Sequence, residues 1–137
     1  MKKVFLDTNI LIDLIADRKP FSKYAIAIFR KAETKEFQLY TSSHSIATSH
    51  YLLKKYKEEK ELRKVLSDLL DYLTLIPVDA DIINKSLRSR HKNFEDSIQI
   101  FCASSIKKMD CIITRNTKDF KNSDIPAFNP DEIILSF

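Results

Sequence analysis

An α/β fold on a mainly parallel sheet is what the sequence predicts, and two observations carry that reading. Short continuous apolar runs, Val4-Phe5-Leu6 and Cys111-Ile112-Ile113, stop abruptly at polar residues, as strands buried on both faces do. Between such runs lie longer segments whose apolar residues recur at helical spacing. Strands that alternate with helices lie parallel in one sheet, because each helix returns the chain to the same edge.

The elements follow in order. Val4–Leu6 is the first strand, and Asn9 to Ala16 reads as a short helix. Phe21, Tyr24, Ala25, Ile28, Phe29 and Ala32 stripe a helix running from Phe21 to about Thr34. Phe37 to Thr41 is the second strand. Ser42 or Ser43 can cap a helix to about Tyr56. Leu62, Val65, Leu66, Leu69, Leu70 and Leu73 stripe another, over Glu59 to Leu73. Leu75 to Val78 reads as a strand interrupted by Pro77, after which Asp79 opens a helix to about Arg90. Asn93 is a fitting N-cap for a buried helix from Phe94 to Met109. Cys111–Thr114 is a further buried strand and Ala127-Phe128 an edge strand. Asn129-Pro130 supplies the cap and first turn of a last short helix. No linker, repeat or low-complexity stretch divides the chain, so residues 1–137 form one domain.

Composition excludes several classes. At 44% hydrophobic the chain is not of the disordered kind. It holds no apolar run long enough to span a bilayer, and the Val4–Leu6 run after Met1-Lys2-Lys3 is too short for a signal peptide, which predicts a cytoplasmic protein with no membrane partner. Cys102 and Cys111 form no CxxC pair and sit among apolar neighbours, as packing thiols do. The net charge of +4 favours polyanions such as RNA. There is no glycine, so neither GxGxxG nor GxxxxGK[ST] phosphate loops exist. Sharp turns must then use Asn, Asp, Ser and Pro.

Chemistry is expected at the carboxyl ends of the buried strands. One end gives Asp7-Thr8-Asn9; another gives Thr114-Arg115-Asn116, with Asp119 after it. Glu95-Asp96 opens the buried helix, where an acid also serves the helix dipole. Burying the Asp7 carboxylate is costly without a cation or donors. If Asp7, Asp96 and Asp119 converge, their charges raise one another's pKa, and a hard divalent ion, Mg²⁺ or Mn²⁺, relieves the repulsion. Such an ion suits phosphodiester hydrolysis.

Three segments together resemble the PIN domain family, in particular its bacterial VapC-like toxin ribonucleases. They are Val4-Phe5-Leu6-Asp7-Thr8-Asn9-Ile10-Leu11, Asn93-Phe94-Glu95-Asp96-Ser97-Ile98-Gln99, and Ile112-Ile113-Thr114-Arg115-Asn116-Thr117-Lys118-Asp119-Phe120. The resemblance implies a three-layer α/β/α sandwich with a mainly parallel sheet of four to five strands. It implies a Mg²⁺- or Mn²⁺-dependent endoribonuclease, the toxin of a type II toxin–antitoxin pair, with RNA as substrate, a cognate antitoxin as partner and a homodimer as assembly. Asp7, Asp96 and Asp119 then match the catalytic, metal-binding acids. Thr8, Asn9, Thr114 and Asn116 match polar neighbours of metal or substrate, with Glu95 and Arg115 beside them.

Two departures stand out. The family commonly carries an acid in the helix after the second strand, and Thr48 aligns there; no Asp or Glu lies between Glu36 and Glu58. Asn116 also replaces an Asp common among relatives. A less acidic pocket motivates the alternative of a catalytically weak module that binds nucleic acid or protein. A phosphatase with Asp7 as nucleophile, of the haloacid dehalogenase type, fits worse, because that family has Asp where this chain has Asn9.

Other polar residues have plainer uses. His44 and His50 are six apart and share no helix face as ligands, and His50 fits a packed or hydrogen-bonded role. His91, beside Arg90 and Lys92, is expected at the surface. Ser42, Ser43, Ser45 and Ser49 read as capping hydroxyls. Arg115 can either fork onto a phosphate or pair with a pocket acid. Lys118 and Lys121 add to a positive rim, and the mixed-sign run Lys54–Lys60 reads as a solvated helix junction.

Overall fold

In the computed structural model, which describes residues 1–136, strand β1 (Lys2–Leu6) forms the centre of the sheet. It pairs on one side with β2 (Phe37–Ser42) and on the other with β4 (Cys111–Ile113). Outside these lie β3 (Leu73–Ile76) and β5 (Ala127–Phe128), giving the order β3-β2-β1-β4-β5. All four pairings are parallel, so the sheet is wholly rather than mainly parallel. Val4, Phe5 and Leu6 are completely buried, which is why that run shows no polar alternation.

Alternating strand side chains feed two cores. Val4, Leu6, Leu39, Cys111 and Ile113 point to one layer. That layer is supplied by helices α1 (Thr8–Ile15), α2 (Ser22–Glu33), α3 (Ser43–Leu53), α4 (Glu59–Leu69) and α7 (Pro130–Ser136). Phe5, Tyr40 and Ile112 point to the other, which is closed by α5 (Ala80–Leu87) and α6 (Phe94–Ser104). The result is the three-layer sandwich. Among the described residues no helix is long and apolar enough to cross a membrane.

Helix ends account for most of the differences from the sequence reading. Helix α4 stops at Leu69, where the backbone N–H groups of Leu70, Asp71 and Tyr72 bond three residues back and tighten the turn. Leu73 therefore starts β3, and Pro77 follows that strand instead of interrupting it. Helix α3 closes at Leu53, before Tyr56, and α5 at Leu87, before Arg90. Helix α6 ends at Ser104, short of Met109, where the backbone N–H groups of Ser105 and Ile106 bond three residues back to Cys102 and Ala103. The caps Ser42, Asp79 and Asn93 accept from Ser45, Ile82 and Asp96, as their residue types favour.

A chain without glycine must still reverse direction. Asp17, Lys35 and Lys108 take left-handed backbone, at φ 50°, 64° and 63°. Lysine was not among the expected turn residues. Lys35 terminates α2 with two bonds, its own N–H to Ala32 and that of Glu36 to Lys31, which compensate the strained conformer.

Candidate active site

The order β3-β2-β1-β4-β5 reverses between β1 and β4, so the crevice beyond their carboxyl ends is the place where ligands bind in such sheets. Asp7 and Thr114, the residues that directly follow these two strands, meet there. The Thr114 hydroxyl donates to Asp7 Oδ2 at 2.8 Å. Asp7 is also the N-cap of α1, its Oδ1 accepting from the Thr8 N–H at 2.8 Å. A third donor reaches the same Oδ1, the Gln99 amide at 3.1 Å. At 7% exposure, Asp7 has met the cost of burial with these donors.

Gln99 is not among the expected site residues, although it lies in one of the family-like segments. It is 2% exposed on α6 and ties three elements together. Its Nε2 donates to Ser45 Oγ at 2.6 Å, and its Oε1 accepts from Ser42 Oγ at 2.6 Å. Ser45 in turn bonds Thr8 through their hydroxyls at 2.9 Å. A glutamine between Ile98 and Ile100 on a buried helix was the available signal, since such a side chain is seldom buried without dedicated partners. Ser42 and Ser45 therefore do more than cap α3.

The walls of the crevice bring most of the expected residues together. Asp7, Thr8, Asn9, Thr48, Glu95, Asp96 and Asn116 line one cleft of about 270 Å³, with Arg18 as a cation and the His44 imidazole on its wall. Asn9 Nδ2 donates to Thr114 at 3.4 Å, and Asn116 N–H donates to the same hydroxyl at 3.1 Å. Asp119 lines a neighbouring cleft, and Asp96 belongs to the walls of both. The Asp96 carboxyl is pushed up to about 6 by burial first, then by the charges of Asp7, Asp119 and Glu95. The three acids thus share one electrostatic field. They are not packed into a single cage, for among the described residues no three His, Cys, Asp or Glu side chains are gathered as a metal-holding group.

Arg115 forms an ion pair, one of its two expected roles, but with an acid outside the crevice. Its guanidinium forks onto Asp13, with Nε to Oδ2 at 2.7 Å and Nη2 to Oδ1 at 3.1 Å, and stacks 4.0 Å above the Phe21 ring. Asp13 is 1% exposed and lies outside the acidic cleft. A buried carboxylate on α1 needs a paired cation, and that demand turns Arg115 away from the crevice. Only the Arg115 backbone stays close, its N–H 3.4 Å from Asn9 Oδ1.

The remaining residues keep their plain uses. His50 bonds Glu59 through Nε2 at 2.8 Å, and His91 meets Phe101 edge-on. Cys102 and Cys111 are free and buried, and burial pushes both thiols up to about 12.

The donors fit a hard cation. Mg²⁺ keeps several waters and is commonly held by one or two carboxylates together with substrate phosphate. Asp7 and Asp96 in one cleft, with the charged form of Asp96 disfavoured first by burial and then by its neighbours, match that pattern better than a closed cage.

Comparison with known proteins agrees with this architecture. Over 137 aligned positions the chain is 30% identical to ribonuclease VapC1 of Aquifex aeolicus (strain VF5), covering 96% of this chain and 92% of that protein. A toxin–antitoxin complex from Klebsiella pneumoniae superposes with a TM-score of 0.64 at 29% identity, over 93% of this chain and 97% of that one. VapBC2 from Rickettsia felis, bound to a promoter DNA fragment, gives 0.68 at 20% identity over 93% and 98%, a likeness of fold. The sequence pattern of the PIN domain matches residues 3–118, and the chain belongs to the PIN domain family.

Proposed function

We propose that the chain is a divalent-metal-dependent endoribonuclease, acting in the cytosol as the toxin of a toxin–antitoxin pair. The observation that carries this reading is the placement of Asp7 and Asp96 in one cleft beyond the carboxyl ends of β1 and β4, where burial first and then the charges of Asp7 and Asp119 push the Asp96 carboxyl up and a bound cation would offset that. Asp7 and Asp96 would hold Mg²⁺ or Mn²⁺, with Asp119 adding charge from the next cleft. The ion, when bound, supplies an acidified water and charge stabilisation at phosphorus.

The protein's own groups do the positioning. Thr8 N–H, Gln99 and Thr114 fix both oxygens of Asp7. Asn9 and Asn116, joined through Thr114, offer neutral donors beside the cleft. Arg18 offers positive charge on its wall for a phosphate, and the His44 ring stands on the same wall. The ribonuclease name of the Aquifex relative supports RNA as substrate, and the Klebsiella complex supports an antitoxin partner. A homodimer remains part of the proposal through the family resemblance.

Thr48, where relatives commonly place an acid, favours a second reading, a module that binds RNA or protein and cuts little. Calorimetry with Mn²⁺ separates the two. Saturable binding that Asp7→Asn/Asp96→Asn abolishes, followed by metal-dependent RNA cleavage, supports the nuclease. Absence of binding at millimolar metal sinks it.

A further inference from the structure

The charged groups that share the acidic cleft with His44 are Asp7 after β1, Arg18 after α1, and Glu95 and Asp96 on α6. Phosphodiester hydrolysis needs more from such a cleft than acids that hold a cation. The ribose oxygen that leaves phosphorus departs as a strongly basic alkoxide unless a group gives it a proton. Carboxylates committed to a cation are ionised and only accept hydrogen bonds, and a guanidinium keeps its protons. Imidazole is the side chain suited to carry and release a proton near neutral pH, and among the described residues His44 is the only histidine lining this cleft.

The fold holds the ring in place. His44 is the second residue of α3, and the residues on both sides of it are anchored. Ser43 Oγ accepts from the Val78 N–H at 3.0 Å, and Ser45 Oγ accepts from the Gln99 amide at 2.6 Å. The imidazole is 28% exposed, with Nε2 3.8 Å from a Glu95 carboxylate oxygen and 3.4 Å from the Thr48 hydroxyl. A ring nitrogen turned to a carboxylate is the one that carries hydrogen. The walls also divide by chemistry. In-line displacement puts the attacking and leaving oxygens on opposite sides of phosphorus. Acids reach the cleft from the end of β1 and from α6, whereas α3 brings His44, Thr48 and Leu52 and no acid.

We infer that His44 is the general acid of this site, giving its Nε2 proton to the ribose oxygen that leaves phosphorus. The inference rests on the nuclease reading. In this step a water oxygen bonds to phosphorus and the water's proton passes to solvent. The bond from phosphorus to the ribose oxygen breaks, its electron pair stays on that oxygen, and the Nε2 proton joins it. The ring then regains a proton from solvent. Glu95 is a positioning residue, keeping Nε2 turned to the cleft until the substrate takes its place.

The test compares two RNA linkages cut by the full chain with Mn²⁺, an ordinary one and one with sulfur in place of the leaving ribose oxygen. Substrates with sulfur at the 3′ and at the 5′ position are both made, since either oxygen of the linkage can be the one that leaves. A thiolate departs without a proton, because a thiol is far more acidic than a ribose hydroxyl. His44→Gln should lower kcat on the oxygen linkage by about 10²–10⁴-fold with KM unchanged, yet cut the sulfur linkage near the wild-type rate. The alkaline fall of the wild-type pH–rate profile should vanish in that variant. RNA affinity in EDTA, by fluorescence anisotropy, and Mn²⁺ affinity, by calorimetry, should match wild type. His44→Asn should give the same pattern as a second variant. His50→Gln, on the same helix and outside the cleft, should change none of these readings, with circular dichroism confirming that the variants are folded. Equal losses on both linkages, an unchanged rate on the oxygen linkage, or a loss carried by RNA or metal affinity overturns the inference and leaves the nuclease reading standing. A wild type that cuts neither linkage removes the nuclease reading and the inference with it.

Discussion

Gln99 on α6 and Asp7 at the end of β1 are joined by a 3.1 Å hydrogen bond, although 92 residues separate them in sequence. The bond fixes the carboxylate from the opposite helical layer. It also completes a buried chain through Ser42, Ser45 and Thr8. Leucine at position 99 would fill the space and leave those acceptors and donors bare. Gln99→Leu should cost about 1–3 kcal/mol per stranded group, measurable by urea unfolding. Metal affinity should fall too, because Asp7 loses its fixed orientation. Wild-type stability and affinity in that variant would show that the network is incidental.

Asp96 provides a pH signature. Its carboxyl sits near 6 in the folded, metal-free protein against 3.8 ordinarily, chiefly through burial and then through Asp7. Between those values the folded state keeps a proton that the unfolded chain releases. The contribution to stability is therefore full at low pH and is lost as pH rises through about 6. Carboxyl ¹³C NMR in EDTA should find this titration, and Asp7→Asn should move it part of the way down. Mg²⁺ should move it further, since the cation favours the charged form. An ordinary titration near 3.8 in the metal-free protein would refute the shared field.

The fork between Arg115 and Asp13 makes a stability prediction with no catalytic content. Arg115→Ala strands a carboxylate that is 1% exposed and should cost about 3–5 kcal/mol. Asp13→Ala should cost less, because Arg115 is 23% exposed and can turn to water. Asp13→Leu/Arg115→Met should recover most of the loss. A double-mutant cycle by urea unfolding checks the order. Equal, small losses in both single variants would mean that the pair is solvated.

These pairs mark the boundary of what the sequence discloses. The fold was legible because its signals are local: apolar runs for β1 and β4, helical stripes for α2 and α4, and the caps Ser42, Asp79 and Asn93. Asp7, Asp96 and Thr114 were legible because strand ends and helix starts are where polar side chains gather in such sheets. Gln99 and Asp13 were not, since their roles depend on partners 92 and 102 residues away that only tertiary packing supplies. The acid that Arg115 pairs with was hidden for the same reason. Arg115 stands in a site-like segment, yet a buried acid on another element decides where it points.

Thr48 supplies the last prediction. It lines the same cleft as Asp7 and Asp96, at the position where the family resemblance implies an acid, and its hydroxyl lies 3.4 Å from His44 Nε2. Thr48→Glu adds an oxygen ligand and a negative charge to the wall. Mn²⁺ affinity by calorimetry should rise on the order of tenfold, because charge count on the ligands tunes binding of hard cations. The metal-free variant should pay with lower thermal stability at neutral pH, where a further carboxylate faces Asp7 and Asp96, and Mn²⁺ should restore it. Unchanged affinity would place the cation out of reach of α3. Raised affinity with unchanged RNA cleavage would mean that charge at this position limits binding of the ion and leaves the chemical step alone.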